Sequence, residues 1–197
     1  MRPLHAYLSF LLFFLPTIAF PQTFMQGVGI SYVNGKTRMG EPNSNYWPEM
    51  DFRGMTYFPR LNVHERDQTA ISIGLPFVFG LSVGVGSSVN SFSYVVDVPL
   101  VVDYNFGHHA TKSAGGIFGG YVGGGIGLTH EQSNVDSDLF TGYRLSQTSY
   151  GPLARAGLRF RIPLNVGELS FTLGAFYKIG LEEERYTLRG ANFLMNF

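Results

Sequence analysis

From Ile71 to Val85 the chain alternates between two kinds of residue. Ile71, Ile73, Leu75, Phe77, Phe79, Leu81, Val83 and Val85 hold the odd positions, and Ser72, Gly74, Pro76, Val78, Gly80, Ser82 and Gly84 the even ones. A period of two marks a β-strand with unlike faces. The run is far longer than the usual soluble strand of about five or six residues. A tilted strand that crosses a membrane and projects beyond it reaches this length.

The pattern returns along the rest of the chain. Val28, Ile30 and Tyr32 oppose Gly27, Gly29 and Ser31; Tyr94, Val96, Val98, Leu100, Val102, Tyr104 and Phe106 oppose Asp97, Asp103 and Asn105. Phe118, Val122, Ile126 and Leu128 face away from Gly119, Tyr121, Gly123 and Gly125. Ala154 to Ile162 alternate with Arg155, Gly157, Arg159 and Arg161, and Leu169 to Ile179 with Glu168, Ser170, Thr172 and Lys178. Two segments are less regular. Arg53 to Asn62 has no decisive phase, and Arg185 to Phe197 is apolar mainly at Phe193, Met195 and Phe197. Together they make eight strands, and the expected fold is all-β: an eight-stranded antiparallel up-and-down transmembrane β-barrel. An even number closes such a sheet with no open edge.

Composition decides which face looks outward. Only 14% of residues are charged, with 14 Lys plus Arg against 14 Asp plus Glu, and there are 25 Gly and no Cys. In a soluble barrel the second face would meet water and carry many charges; here it is mostly Gly and Ser with isolated ions. That suits a crowded lumen. The apolar face then meets hydrocarbon, with Tyr94 and Tyr104 suited to the aromatic girdles. On this assignment Leu75→Arg is expected to be costly and Gly80→Ser mild. Zero cysteine excludes disulfide scaffolds and thiolate sites, and the balanced charge gives no nucleic-acid footprint.

The amino terminus reads as an export signal. Arg2 precedes an apolar run from Ala6 to Leu15, and Thr17-Ile18-Ala19 offers small residues for cleavage after Ala19. The expected organisation is a signal peptide over 1–19 and a barrel domain over 20–197, in the outer membrane. The connections alternate in length, with long segments near Asn34 to Phe52 and Glu131 to Gln147 on one side. Long outer loops with short periplasmic turns are usual in such barrels.

Candidate chemistry is sparse. Asp97, Asp103, Arg155, Arg159, Arg161, Glu168 and Lys178 share inward phases and are expected to form a luminal charge network, since unpaired charge in a narrow lumen is costly. Eight strands leave an interior just filled by side chains, so a plug is favoured over a pore. His130, Glu131 and Ser149 could meet at the outer rim, but no spacing demands it, so no catalytic residue is assigned. No metal site and no cofactor are expected; His108-His109 lacks further ligands. Pro59, Pro76, Pro99 and Pro152 interrupt predicted strands, and each removes a ladder donor. A hairpin turning near Ser87 and Ser88 brings Pro76 opposite Pro99. The pair reads either as bulges, the favoured reading, or as a lateral seam opening to lipid.

With its signal peptide, eight amphipathic strands and terminal Gly190-Ala-Asn-Phe193-Leu-Met195-Asn-Phe197, the chain resembles the small eight-stranded outer-membrane barrels of the OmpX and OmpA-barrel kind. Tyr57-Phe58-Pro59-Arg60-Leu61-Asn62 leading to Ile71-Ser72-Ile73-Gly74 is also similar to outer-membrane β-barrel proteins of Bacteroidota. The resemblance implies that Phe197, supported by Phe193 and Met195, is the assembly signal read by the barrel assembly machinery. The implied partners are the outer-membrane bilayer, that machinery, and an extracellular ligand or lipopolysaccharide, with no nucleic acid. The favoured role is non-enzymatic, structural or surface-interacting through the outer loops. The alternatives are a lipid-modifying enzyme, palmitoyltransferase- or deacylase-like, with lateral access at Pro76 and Pro99, or a narrow pore.

Overall fold

The computed structural model describes residues 23–36, 49–85, 89–137, 140–164, 167–182 and 186–197. The expected signal peptide and part of the expected long connection from Asn34 to Phe52 lie outside these residues. Nine strand segments are present: β1 (Thr23–Lys36), β2 (Glu49–Arg66), β3 (Thr69–Gly74), β4 (Phe77–Val85), β5 (Val89–Gly107), β6 (Phe118–Ser137), β7 (Phe140–Leu164), β8 (Gly167–Ile179) and β9 (Thr187–Asn196). All pairings are antiparallel between neighbours, and β1 pairs with both β2 and β9, which closes the ring. β3 and β4 are two halves of one stave, since both lie between β2 and β5. The barrel is therefore eight-stranded.

The alternation sorts the two faces. Phe77, Phe79, Leu81 and Val83 of β4 are exposed, as are Val98, Leu100, Val102, Tyr104 and Phe106 of β5, Leu158 of β7 and Leu173 of β8. Their neighbours Val78, Asp97, Val101, Asp103, Asn105, Arg159 and Thr172 are buried. An outer wall this apolar cannot face water without exposing a patch far beyond the few hundred Å² that soluble monomers tolerate. The wall is solvated by lipid.

The interior is filled by pairing large side chains with glycine. A Cβ on Gly74 would stand 2.4 Å from Phe58 Cε2, one on Gly80 2.8 Å from Phe52 Cβ, and one on Gly157 2.5 Å from Tyr121 Cε1. Small residues on one stave thus make room for rings from another. Gly80→Ser, expected to be mild, meets crowding here, because a Cβ at Gly80 runs into Phe52 and Val95. The same pairing of rings with glycine explains the weak phase of β2. Phe52, Phe58 and Arg60 point inward while Arg53, Met55 and Tyr57 point outward, so both faces carry rings and charge.

Three segments depart from expectation. Residues 131–147, expected as a loop, continue the ladder between β6 and β7 as a hairpin reaching Ser137 and Phe140. β7 alone has 25 residues, far more than the roughly 9–11 a bilayer crossing needs, so the hairpin stands clear of the membrane. The stave holding Pro76 is broken at Leu75 and Pro76, where the sequence pattern ran straight through. Finally, the turn after β5 does not hang free: His108, Ala110, Thr111 and Ala114 are buried beneath the mouth.

Candidate functional site

The interior is built in layers, beginning at the end where β1 starts and β9 finishes. Gly107 and His109 adopt left-handed backbone with φ of 66° and 60°, which folds the turn into the mouth. Arg60 from β2 and Arg159 from β7 both donate to Asn105 Oδ1, at 2.5 and 2.6 Å, and both donate to the carbonyl of His109. Asn62 Nδ2 donates to the Ala110 carbonyl at 2.9 Å, and His108 Nε2 lies 3.1 Å from Ser170 Oγ. Burial holds His109 well below the ordinary imidazole range, at about 3, and the adjacent Arg60 and Arg159 charges push the same way.

Above this layer Arg155 Nε faces Asp103 Oδ1 at 3.6 Å. The Arg155 guanidinium also lies 4.3 Å from the Phe58 ring centre and 4.6 Å from that of Tyr121. Ring faces attract a cation that has few carboxylates to turn to, and Arg159 shares the Tyr121 ring at 5.1 Å. An apolar cluster of Phe58, Val101, Leu153 and Leu194 follows. Beside it a cavity of about 20 Å³ touches Pro76, Pro99, Arg155 and Asn192. That is space for about one water molecule.

The next layer is a second ion pair. Lys178 of β8 reaches across the lumen to Asp97 of β5 at 2.9 Å, both almost fully buried, and Thr129 Oγ1 donates to the same carboxylate oxygen at 2.5 Å. Val33, Phe52, Val78, Val95, Tyr186 and Leu188 close the far end. Arg161 and Glu168 pair at 2.7 Å, but their side chains are 30% and 50% exposed, so this pair sits at the rim and outside the enclosed layers. Arg60, the strongest addition to the charge set, had no phase to reveal it. Arg159 was expected beside a carboxylate, yet its hydrogen bonds go to an amide oxygen and a backbone carbonyl.

The rim triad does not assemble. His130 Nδ1 contacts Thr148 Oγ1 at 2.9 Å, Ser149 Oγ donates to Glu182 at 2.9 Å, and Glu131 accepts from the Tyr186 hydroxyl at 2.6 Å. Ser149 faces inward and Thr148 outward, which sets His130 and Ser149 on opposite sides of the wall. Among the described residues no three His, Cys, Asp or Glu side chains are grouped as for a metal ion.

Pro76 and Pro99 do stand opposite each other. Gly74 pairs with Val101 and Val78 with Asp97 in one unbroken register, with the ladder absent between them. A bulge would shift that register by a residue, as happens between Asn62 and His64. The interruption is a loss of bonds, not an insertion. On the other side of the stave Leu75 N still donates to the Pro59 carbonyl at 3.1 Å. At the carboxy terminus Phe193 stacks on Phe171 at 5.3 Å on the outer wall, Met195 lies opposite Phe171 in the ladder, and Phe197 exchanges backbone bonds with Gln26.

No protein-family model matches this sequence, and no curated protein matches it either. Solved structures do. Ail, the attachment invasion locus protein of Yersinia pestis, aligns with a TM-score of 0.51 at 14% identity, over 88% of this chain and 98% of its own. The fold is that of a small outer-membrane β-barrel. The same protein in complex with the heparin analogue sucrose octasulfate aligns at 0.50 and 15% identity, over 88% and 99% of the two chains. Neisserial surface protein A aligns at 0.49 and 13% identity, over 90% and 97%.

Proposed function

We propose that the protein is an integral outer-membrane barrel with a plugged lumen, acting as a structural or surface-interaction element through the segments beyond the far end of the barrel. The observation that carries this reading is the interior itself: among the described residues two apolar clusters and the Asp97–Lys178 and Asp103–Arg155 pairs cross the lumen, and the cavity they border beside Pro76 holds about 20 Å³. Purified protein in planar bilayers is expected to give flat current traces. Discrete ohmic steps would replace the plug with a pore.

The outer hairpin of β6 and β7 supports a surface role, since it extends the wall past the bilayer. The outward ring of Phe193 and the closing bonds of Phe197 suit an assembly signal at the carboxy terminus, with Met195 beside them. A second reading, lateral lipid access between Pro76 and Pro99, is favoured by the interrupted ladder. Amide exchange in detergent tests it. Faster exchange at Val78 and Val101 than at matched positions of the β6–β7 seam is the expected result for a gate, and equal protection would remove it.

A further inference from the structure

Midway along the lumen, polar atoms without protein partners gather at the level of the two prolines. Arg155 of β7 directs its Nε at Asp103, but its Nη2 has no hydrogen-bond partner among the described residues. Asn192 of β9 leaves its Oδ1 in the same condition. Both side chains belong to residues more than nine-tenths buried, at 6% and 7% exposure. Buried donors and acceptors of this kind are uncommon, because each has given up water for nothing in return.

The two residues line one small cavity, of about 20 Å³, together with Pro76, Val78, Asp97 and Pro99. Asp97 on β5 and Asn192 on β9 stand on opposite sides of the ring, so the space lies inside the wall. The ladder fails beside it. Gly74 pairs with Val101 and Val78 with Asp97, and the prolines between them have no N–H to give. The Asp103–Arg155 pair stands on one side of the cavity and the Asp97–Lys178 pair on the other, and one member of each pair reaches its lining.

We propose that this cavity is a binding site for one water molecule, which joins the two ion pairs. The water accepts from Arg155 Nη2 and donates to Asn192 Oδ1 and to the Asp97 carboxylate, whose Oδ1 also takes Lys178 and Thr129. Size and chemistry both select it. A buried water needs about 10–15 Å³ and roughly two to four polar partners, and the site supplies them. A chloride ion uses donors alone and would meet the Asp97 charge, whereas a sodium ion would meet Arg155. An acyl chain entering between the prolines would leave Nη2 and Oδ1 unsatisfied. With the water bound, the two ion pairs become one polar column, and the level where the prolines withhold ladder bonds gains ties across the lumen between β5, β7 and β9.

The test uses the full barrel in detergent, deuterated except at its methyl groups, and reads nuclear Overhauser contacts between water and the methyls of Leu153, which also lines the cavity. Methyl protons do not exchange with solvent, so a contact reports a water in place. Val78→Leu fills the space and removes no polar atom; Asn192→Leu removes an acceptor; Thr172→Val, near the end where β9 finishes, is the control. Circular dichroism confirms that each variant is folded, and should Asn192→Leu fail to fold, Val78→Leu decides alone. The expected result is a contact of the sign given by a bound water, lost in both site variants, kept in the control, and equal in chloride and chloride-free buffer. Absence of the contact in the wild type, or its survival in Val78→Leu, would overturn the proposal. Its loss on adding chloride would do the same by making the occupant an anion, and contacts from protonated detergent chains by making it a lipid. The inference rests on the filled lumen, and failure of that reading is distinguishable: a pore would give ohmic steps in planar bilayers and water contacts at the Val95 methyls as well.

Discussion

Tyr177 and Lys178 are neighbours in the chain and live in different solvents. Tyr177 is 48% exposed on the outer wall, and Lys178 is 1% exposed and bound to Asp97 across the lumen. The same division runs along every stave. Outside, side chains touch fluid lipid, so size is free and charge is expensive. Inside, charge is allowed where it meets a partner, and size is limited because rings and glycines already interlock. The outer wall sets a chemical limit and the interior a geometric one.

The contrast breaks most sharply at the buried ion pair. Lys178→Met leaves Asp97 as an unpaired buried carboxylate and is expected to cost about 3–5 kcal/mol, read from urea unfolding in vesicles. Adding Asp97→Asn to the same chain should restore most of that loss. If Lys178→Met alone were neutral, the pair would not be enclosed. Leu100→Arg probes the opposite face at mid-wall and is expected to cost about 2–4 kcal/mol in the same assay.

Next in size is crowding. Gly80→Ala drives a methyl against Phe52 Cβ at 2.8 Å and Val95 Cγ1 at 3.0 Å, for an expected loss of about 1–3 kcal/mol. An unchanged midpoint would mean the lumen has slack. The last effect is graded with pH and is small only per unit, since it accumulates across its window. His109 is neutral in the closed turn, with its pKa depressed to about 3. A released turn takes up a proton below about pH 6.5, so closure is fully favoured above that value and weakens as pH falls toward 3. Each unit in that window costs at most about 1.4 kcal/mol. Amide exchange at residues 108–117, corrected for intrinsic rates, should accelerate on acidification, while exchange in β6 should not.

Much of this contrast is legible in the sequence, because the period of two survives wherever one face meets lipid and the other small residues. β4, β5 and β8 read directly. β2 does not, since Phe52 and Phe58 point inward into space that Gly80 and Gly74 vacate on another stave, a relation invisible within one strand. Arg60 is hidden by the same mixture. The inward phase of Asp97 and Lys178 is readable, but their meeting depends on barrel curvature, as they lie on non-adjacent staves and 81 residues apart. Residues 131–147 look like a loop because, clear of the bilayer, neither face of a strand need be apolar. The folding of the turn 108–117 into the mouth follows from donors on β2 and β7 that no local pattern names.

The most direct test is a nitroxide scan of single cysteines from Val98 to Val102, in the barrel reconstituted into vesicles. The cysteine-free chain makes each label unique. Collision rates with lipid-soluble oxygen should alternate, high at Val98, Leu100 and Val102 and low at Pro99 and Val101, with little access for a water-soluble relaxant at the low positions. Loss of that alternation, or its reversal with the water-soluble reagent reaching Pro99 and Val101 freely, would contradict a lipid-facing wall around a filled interior.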